Sequence, residues 1–337
     1  MEGRDTRTFN QQQQTMEKNG EGDVIPLKTH FLRTILKLSH EQRRSAAKGG
    51  RAALEQSSYH NGSAIMAPQF SQDGIVLTRD PSTGIFLLHL NRLSSKNVFD
   101  PTFVGAVSSA IKHVEKASHP KALVITGLEY DDSSGDAAGA TVNNNNKSKK
   151  KPPHKFFSNG LSLEYMLTNP EGTAPMIESV WRLLGRILIL DCRTVAAING
   201  HAFGAGLFLA LACDYRLMRT ERGFVNFPEL NLGMRLAKGF AEISKAKLTT
   251  ATLREGVLTG KRYGSGDAVR AGIVDEECDV EELLERAVAM AEAGLPDNLG
   301  AASFDAQSFS QMKVELYTDA YRALALGSVD AKPESRL

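Results

Sequence analysis

Thr194-Val-Ala-Ala-Ile-Asn-Gly-His-Ala-Phe-Gly-Ala-Gly-Leu-Phe-Leu-Ala-Leu-Ala-Cys-Asp214 is the stretch whose reading decides the fold. An apolar run with β-branched residues comes first, then a turn punctuated by Gly200, Gly204 and Gly206, then a helix apolar on every face. That order delivers the start of a buried helix, with its unpartnered amides, to a buried turn. Negative charge is held well at such a place. Fifteen residues past Asp214, Glu229 stands in Asn226-Phe-Pro-Glu-Leu-Asn-Leu-Gly233, flanked by Pro228 and apolar neighbours that desolvate a carboxylate. An anion hole beside one buried base is what proton abstraction next to a carbonyl requires.

Working outward, the 337 residues are 42% hydrophobic, enough for one large core with appendages. A formal net charge of +1 supplies no global field for nucleic acid or an anionic membrane. No apolar run reaches the roughly 18 residues a membrane span needs, so none is expected. Three widely spaced cysteines, Cys192, Cys213 and Cys278, read as reduced core thiols rather than a disulfide framework or zinc site, and no metal is expected. Early acidic residues and the lack of a hydrophobic h-region speak against a secretory signal. The chain ends Ser335-Arg336-Leu337, a variant of the address read by the peroxisomal import receptor.

Residues 1–70 are Gln-rich and then basic, and are read as an unstructured extension. Gly74–Asp80, the turn Pro81-Ser-Thr-Gly84, and Ile85–Asn91 read as a β-hairpin. Asp100-Pro101 caps and opens a helix through Val114, and Lys121–Gly127 is a strand buried on both sides. Residues 130–154 contain Asn143 to Asn146 and Lys147-Ser-Lys-Lys-Lys151, a low-complexity loop insertion whose composition cannot pack. A helix over Met176–Leu190 carries the single tryptophan, Trp181, and a strand over Tyr215–Arg219 follows the apolar helix. Beyond Glu229 the chain reads as helical to about Met290, with one last helix over Asp305–Leu326. The cadence predicts an α/β core with a largely parallel sheet. Gly204-x-Gly206 also opens a dinucleotide-binding fingerprint, but Leu209 occupies the third glycine's place.

Leu90-Asn-Arg92 with Lys96-Asn97, Phe157-Ser-Asn-Gly-Leu-Ser-Leu163, Ala197–Gly206 with Cys213-Asp214, and Phe227-Pro-Glu-Leu-Asn-Leu-Gly233 together resemble the crotonase, or enoyl-CoA hydratase/isomerase, superfamily. Leu258-Thr-Gly260 and Ala268–Val274 extend the resemblance, which spans residues 74–326. It implies a crotonase-like spiral of ββα units over residues 71–260, a C-terminal helical region over 261–330, and a homotrimer or hexamer. It implies an acyl-CoA thioester substrate with no separate cofactor, and an oxyanion hole from the amides of Leu161 and Ala205. Gly160 and Gly204 suit that role because they let the backbone approach a ligand closely.

In this family hydratases use two glutamates. The resemblance places Phe208 where the first would stand and leaves Glu229 as the second, which implies a double-bond shift from position 3 to trans-2 with Glu229 as proton shuttle. The stretch Met234–Lys238 lacks the further acid of the dienoyl-CoA branch. Arg92, Ser95 and Lys96 are implied as contacts to pantetheine and phosphates, and Ser158, Asn159 and Gly160 as the edge of the adenine pocket. Lys245 and Lys247 are further phosphate candidates, and His201 is expected as a packed turn residue rather than a base. Another acyl-CoA reaction on this fold (a thioesterase, dienoyl-CoA isomerase or hydratase) or a non-catalytic acyl-CoA-binding protein stays open as the alternative. The ending Ser335-Arg336-Leu337 and this chemistry together imply the peroxisome or a related organelle such as the glycosome.

Overall fold

Strands that are apolar at every position need two covered faces, and the central sheet has them. In the computed structural model, which describes residues 68–130, 154–299 and 304–329, seven strands lie in the order β1-β2-β3-β4-β6-β8-β10. These are β1 Phe70–Gln72, β2 Ile75–Arg79, β3 Ile85–Leu90, β4 Ala122–Thr126, β6 Thr194–Ile198, β8 Tyr215–Arg219 and β10 Glu276–Cys278. The hairpin pairs antiparallel, Ile75 opposite Leu90, whereas β3, β4, β6, β8 and β10 run parallel. A second sheet of three short parallel strands joins β5 Phe156–Ser158, β7 His201–Phe203 and β9 Val225–Asn226 in that order.

The helices are α1 Pro101–Lys116, α2 Leu163–Thr168, α3 Pro170–Leu188, α4 Ala205–Ala212, α5 Lys238–Lys247, α6 Thr250–Thr259, α7 Ser265–Arg270, α8 Leu283–Glu292, α9 Ala306–Leu316 and α10 Thr318–Leu326. Helix α1 begins as its sequence dictates: Asp100 accepts the Phe103 amide and Pro101 takes the first turn. Alternation along the strands sends Leu123, Ile125, Ala196 and Ile198 into the main core with α1, α3 and α4. The intervening Val124, Val195 and Ala197 meet Leu283, Ala287 and Ala291 of α8 on the other face.

The spiral follows from chain order. Each turn lays one strand in the large sheet, one in the small sheet, and then helix: β4-β5-α2/α3, β6-β7-α4 and β8-β9-α5. Buried Asn199 ties the two sheets at their junction, since its Oδ1 accepts the Gly127 amide at 3.0 Å and its Nδ2 donates to the His154 carbonyl at 3.1 Å. The polar ends of β6 and α4 are held by Asp214, whose Oδ2 accepts from the Thr194 amide at 2.8 Å and from Lys313 Nζ at 2.7 Å. Lys313 is only 6% exposed, so removing its partner leaves a buried ammonium uncompensated. Asp214→Ala is therefore expected to cost about 3–5 kcal/mol in urea denaturation, far more than an average substitution.

Four features differ from the expectations. The glycine turn after β6 contains β7, because Ala202 is buried and pairs with both Ser158 and Val225. Strand β10 adds an edge beside β8 within the segment read as helical. The last helix is broken at Tyr317 into α9 and α10, and α3 starts earlier than expected, at Pro170. All three cysteines are buried and free. Among the described residues no helix is long and apolar enough to cross a membrane. The expectations on residues 1–67, 131–153 and Ser335-Arg336-Leu337 lie outside the described residues.

Candidate active site

All three strands of the small sheet run the same way, so their carboxyl ends lie together. Asn159-Gly160-Leu161 follows β5, Gly204-Ala205 follows β7, and Phe227-Pro228-Glu229 follows β9. Repetition of one spiral turn thus delivers three separate sequence segments to one spot. They line a cavity of about 460 Å³. Ser94, Ser95 and Lys96 contribute polar groups to its wall, and Val98, Met166, Leu232, Met234 and Phe240 make much of the rest apolar.

Close backbone approach is visible at Gly160, whose φ of +87° is in the left-handed region. A methyl group there would lie 2.6 Å from the Phe203 carbonyl oxygen and 3.4 Å from the Ala205 nitrogen. Phe99 binds the strip on either side of Leu161: its amide donates to the Gly160 carbonyl at 2.8 Å, and its carbonyl accepts from the Ser162 amide at 2.9 Å. The Leu161 amide between them donates to no group among the described residues. Ala205 opens α4, Gly204 offers no side-chain cap, and the Ala205 amide is likewise undonated. Two unused amides therefore stand where the glycine strip meets a helix start, where the dipole favours an anion.

Glu229 faces them. A methyl on Gly204 would lie 3.9 Å from Glu229 Oε1, and Glu229 Oε2 is buried without a hydrogen-bond partner. Burial raises its carboxyl above the ordinary value of 4.5, and a backbone hydrogen bond only partly opposes that. The backbone is fixed by a tight turn over Leu230–Leu232, with the Glu229 carbonyl accepting the Met234 amide at 2.9 Å and Gly233 closing it at φ +65°. Beneath, Phe227 is 1% exposed and packs on Phe208 at 5.7 Å.

Residues 151–315 match the enoyl-CoA hydratase/isomerase family. Enoyl-CoA delta isomerase 2, peroxisomal, of Arabidopsis thaliana is 35% identical over 180 residues, 51% of this chain and 73% of that protein. The chain belongs to the enoyl-CoA hydratase/isomerase family. Carnitinyl-CoA dehydratase of Escherichia coli (strain K12) is 33% identical over 185 residues, 53% of this chain and 68% of that one. The solved structure of human mitochondrial delta3-delta2-enoyl-CoA isomerase has the same fold, with a TM-score of 0.60 at 18% identity over 74% of this chain and 86% of that one.

Within this enoyl-CoA hydratase/isomerase chain, Leu161, Ala205, Glu229, Ser95, Lys96, Asn159 and Gly160 all line the cavity, whereas Arg92 and Ser158 do not. Arg92 is held by Asp100, Nη1 to Oδ1 at 2.8 Å. Burial would raise the Asp100 carboxyl, but the Arg92 hydrogen bond and the Phe103 amide lower it on balance. Ser158 is buried and donates to the Asn97 carbonyl at 2.7 Å while accepting the Gly160 amide at 3.2 Å, so its hydroxyl shapes the strip from behind.

Lys245 pairs with Glu242 at 2.9 Å, and Lys247 reaches the far end of α4, donating to the Cys213 carbonyl at 3.3 Å. Burial lowers the Lys247 ammonium to about 8. His201 accepts the Phe224 amide at Nδ1 and stacks on the Phe224 ring, outside the cavity. Glu164, on the first turn of α2, is a lining carboxylate the sequence reading passed over, because an exposed acid at a helix start reads as dipole compensation alone. Among the described residues, no three His, Cys, Asp or Glu side chains form a metal-binding group.

Proposed function

We propose that the protein is a Δ3,Δ2-enoyl-CoA isomerase. The observation that carries this reading is the Glu229 carboxyl, its Oε2 buried without a hydrogen-bond partner, lining one cavity with two undonated amides. With the thioester oxygen of a 3-enoyl-CoA on the Leu161 and Ala205 amides, Glu229 takes a proton from C2. The electron pair passes to the thioester as a dienolate, and the same carboxyl returns the proton to C4. The double bond then lies between C2 and C3, with atoms and charge balanced and no cofactor consumed.

A hydratase or dehydratase reading, which the E. coli relative's name brings, calls for a second acid or base that positions water. Phe208, at the position the resemblance assigns to it, supplies neither, being apolar, fully buried and behind the cavity wall, and the second lining carboxylate, Glu164, stands exposed on the first turn of α2. Formation of the conjugated 2-enoyl thioester from 3-enoyl-CoA, followed spectroscopically, tests the proposal. A thioesterase would instead release free CoA, and a binding protein would give no turnover.

Because Glu229 acts as a base, kcat/KM is expected to fall as pH drops through its raised pKa, and the acid limb should lie above 4.5, the carboxyl's ordinary value. A limb at or below that value would count against Glu229 as the titrating group. Peroxisomal residence is proposed on the name of the Arabidopsis relative. A fluorescent protein fused to the amino-terminal side of the chain should co-localise with a peroxisomal marker, and a diffuse signal would count against this residence.

A further inference from the structure

We infer that the ring of Phe240 gauges acyl-chain length in this cavity. This rests on the acyl-CoA reading above and adds to it the residue that sets how deep a chain can go. Phe240 lines the cavity yet is only 4% exposed, because its other sides are packed. One face lies on the Phe208 ring at 4.3 Å between centroids and 12° between planes. Trp181 meets it edge-on at 5.9 Å and 89°. Both backing rings are at most 1% exposed, and neither lines the cavity. The Phe240 ring is therefore a partition one residue thick between the acyl space and the aromatic core.

The partition is rigidly placed. A methyl on Gly239 would lie 2.6 Å from the Trp181 ring, so the backbone of α5 presses directly on the indole and fixes where the next side chain points. Phe208 stands on α4 three residues after Ala205, about one turn. The amide proposed to hold the thioester and the ring behind Phe240 thus belong to the same rigid helix, which sets the distance from reacting carbons to the wall. Phe208, at the position where the family's hydratases carry a glutamate, here serves as the backing of that wall.

Each methylene buried in an apolar cavity improves affinity by about fourfold, and a methylene with nowhere to go improves it by nothing. Dissociation constants of saturated acyl-CoAs from C4 to C16, measured calorimetrically, should fall with length and then level off where the chain meets Phe240. With Phe240→Ala the falling limb should extend, raising the C16-to-C6 affinity ratio by about tenfold or more, equivalent to two or more further methylenes. Phe240→Leu, which keeps the position apolar and filled, should give a smaller rise and carries the test if the alanine variant does not fold.

An unchanged ratio in a folded variant overturns the inference while leaving acyl-CoA binding intact. Failure of the wild-type protein to bind any acyl-CoA removes the inference together with the acyl-CoA reading. Saturated ligands are not isomerised, so a negative turnover assay alone does not touch this result.

Discussion

Glu229→Gln is expected to lower kcat for conversion of 3-enoyl-CoA by about 10²–10⁴-fold, the usual worth of a positioned acid–base group, with a much smaller change in KM. The amide is nearly isosteric with the carboxyl, so the tight turn over Leu230–Leu232 and the packing of Phe227 should persist. Stability supplies an independent readout. A carboxyl whose pKa is higher in the folded than in the unfolded chain stabilises the fold fully below the unfolded pKa, and that contribution is lost as pH rises through the folded pKa. Once ionised, Glu229 is thus a burden on the fold, and the Gln variant, neutral at every pH, should not lose thermal stability as pH rises. Loss of activity with a retained melting temperature marks a residue kept for chemistry. Loss of both would assign Glu229 a structural part, and full activity would end the isomerase proposal.

The small sheet shows why part of this site was legible in the sequence and part was not. Gly160 was placed by the family resemblance, whereas Gly204 and Glu229 sit in short local patterns whose chemistry needs those residue types, so their places at a helix start and a desolvating turn could be read residue by residue. Strand β7 could not, because three residues between two glycines have no periodicity, and only pairing with β5 and β9 makes them a strand. Strand β10 is equally short, and its Glu276-Glu277-Cys278 lacks the apolar run of its neighbours, so partnership with β8 decides it.

Charged side chains were harder still. Arg92 and Lys247 carry charges suited to phosphate, yet one is held by Asp100 eight residues away and the other lies over the Tyr317 ring at 4.0 Å, seventy residues away. Long flexible side chains choose partners by tertiary proximity, which no local pattern encodes. Phe208 was read correctly as apolar, but its contact with Phe240, which turns it into the backing of a cavity wall, emerges only from the packing.

Gly160→Ala should be strongly damaging to activity although it leaves every catalytic side chain in place. The added methyl would lie 2.6 Å from the Phe203 carbonyl oxygen, a backbone atom of β7 that cannot swing aside, and φ at +87° is already costly for alanine. Relief of the clash must move the strip that carries the Leu161 amide away from the Ala205 helix start. Loss of one oxyanion donor costs about 10²–10³ in kcat, or roughly 2.7–4 kcal/mol of transition-state stabilisation. Backbone strain alone would not do this. Gly272→Ala, at φ +68° with nothing within 4 Å of the new methyl, imposes similar strain far from the cavity lining and should cost about 1–2 kcal/mol in stability with kcat held within about twofold. Steady-state kinetics and urea titrations on the pair separate the two effects. If both variants lose activity in proportion to their stability, the glycine strip is a folding device and the Leu161 amide has no special part in the reaction.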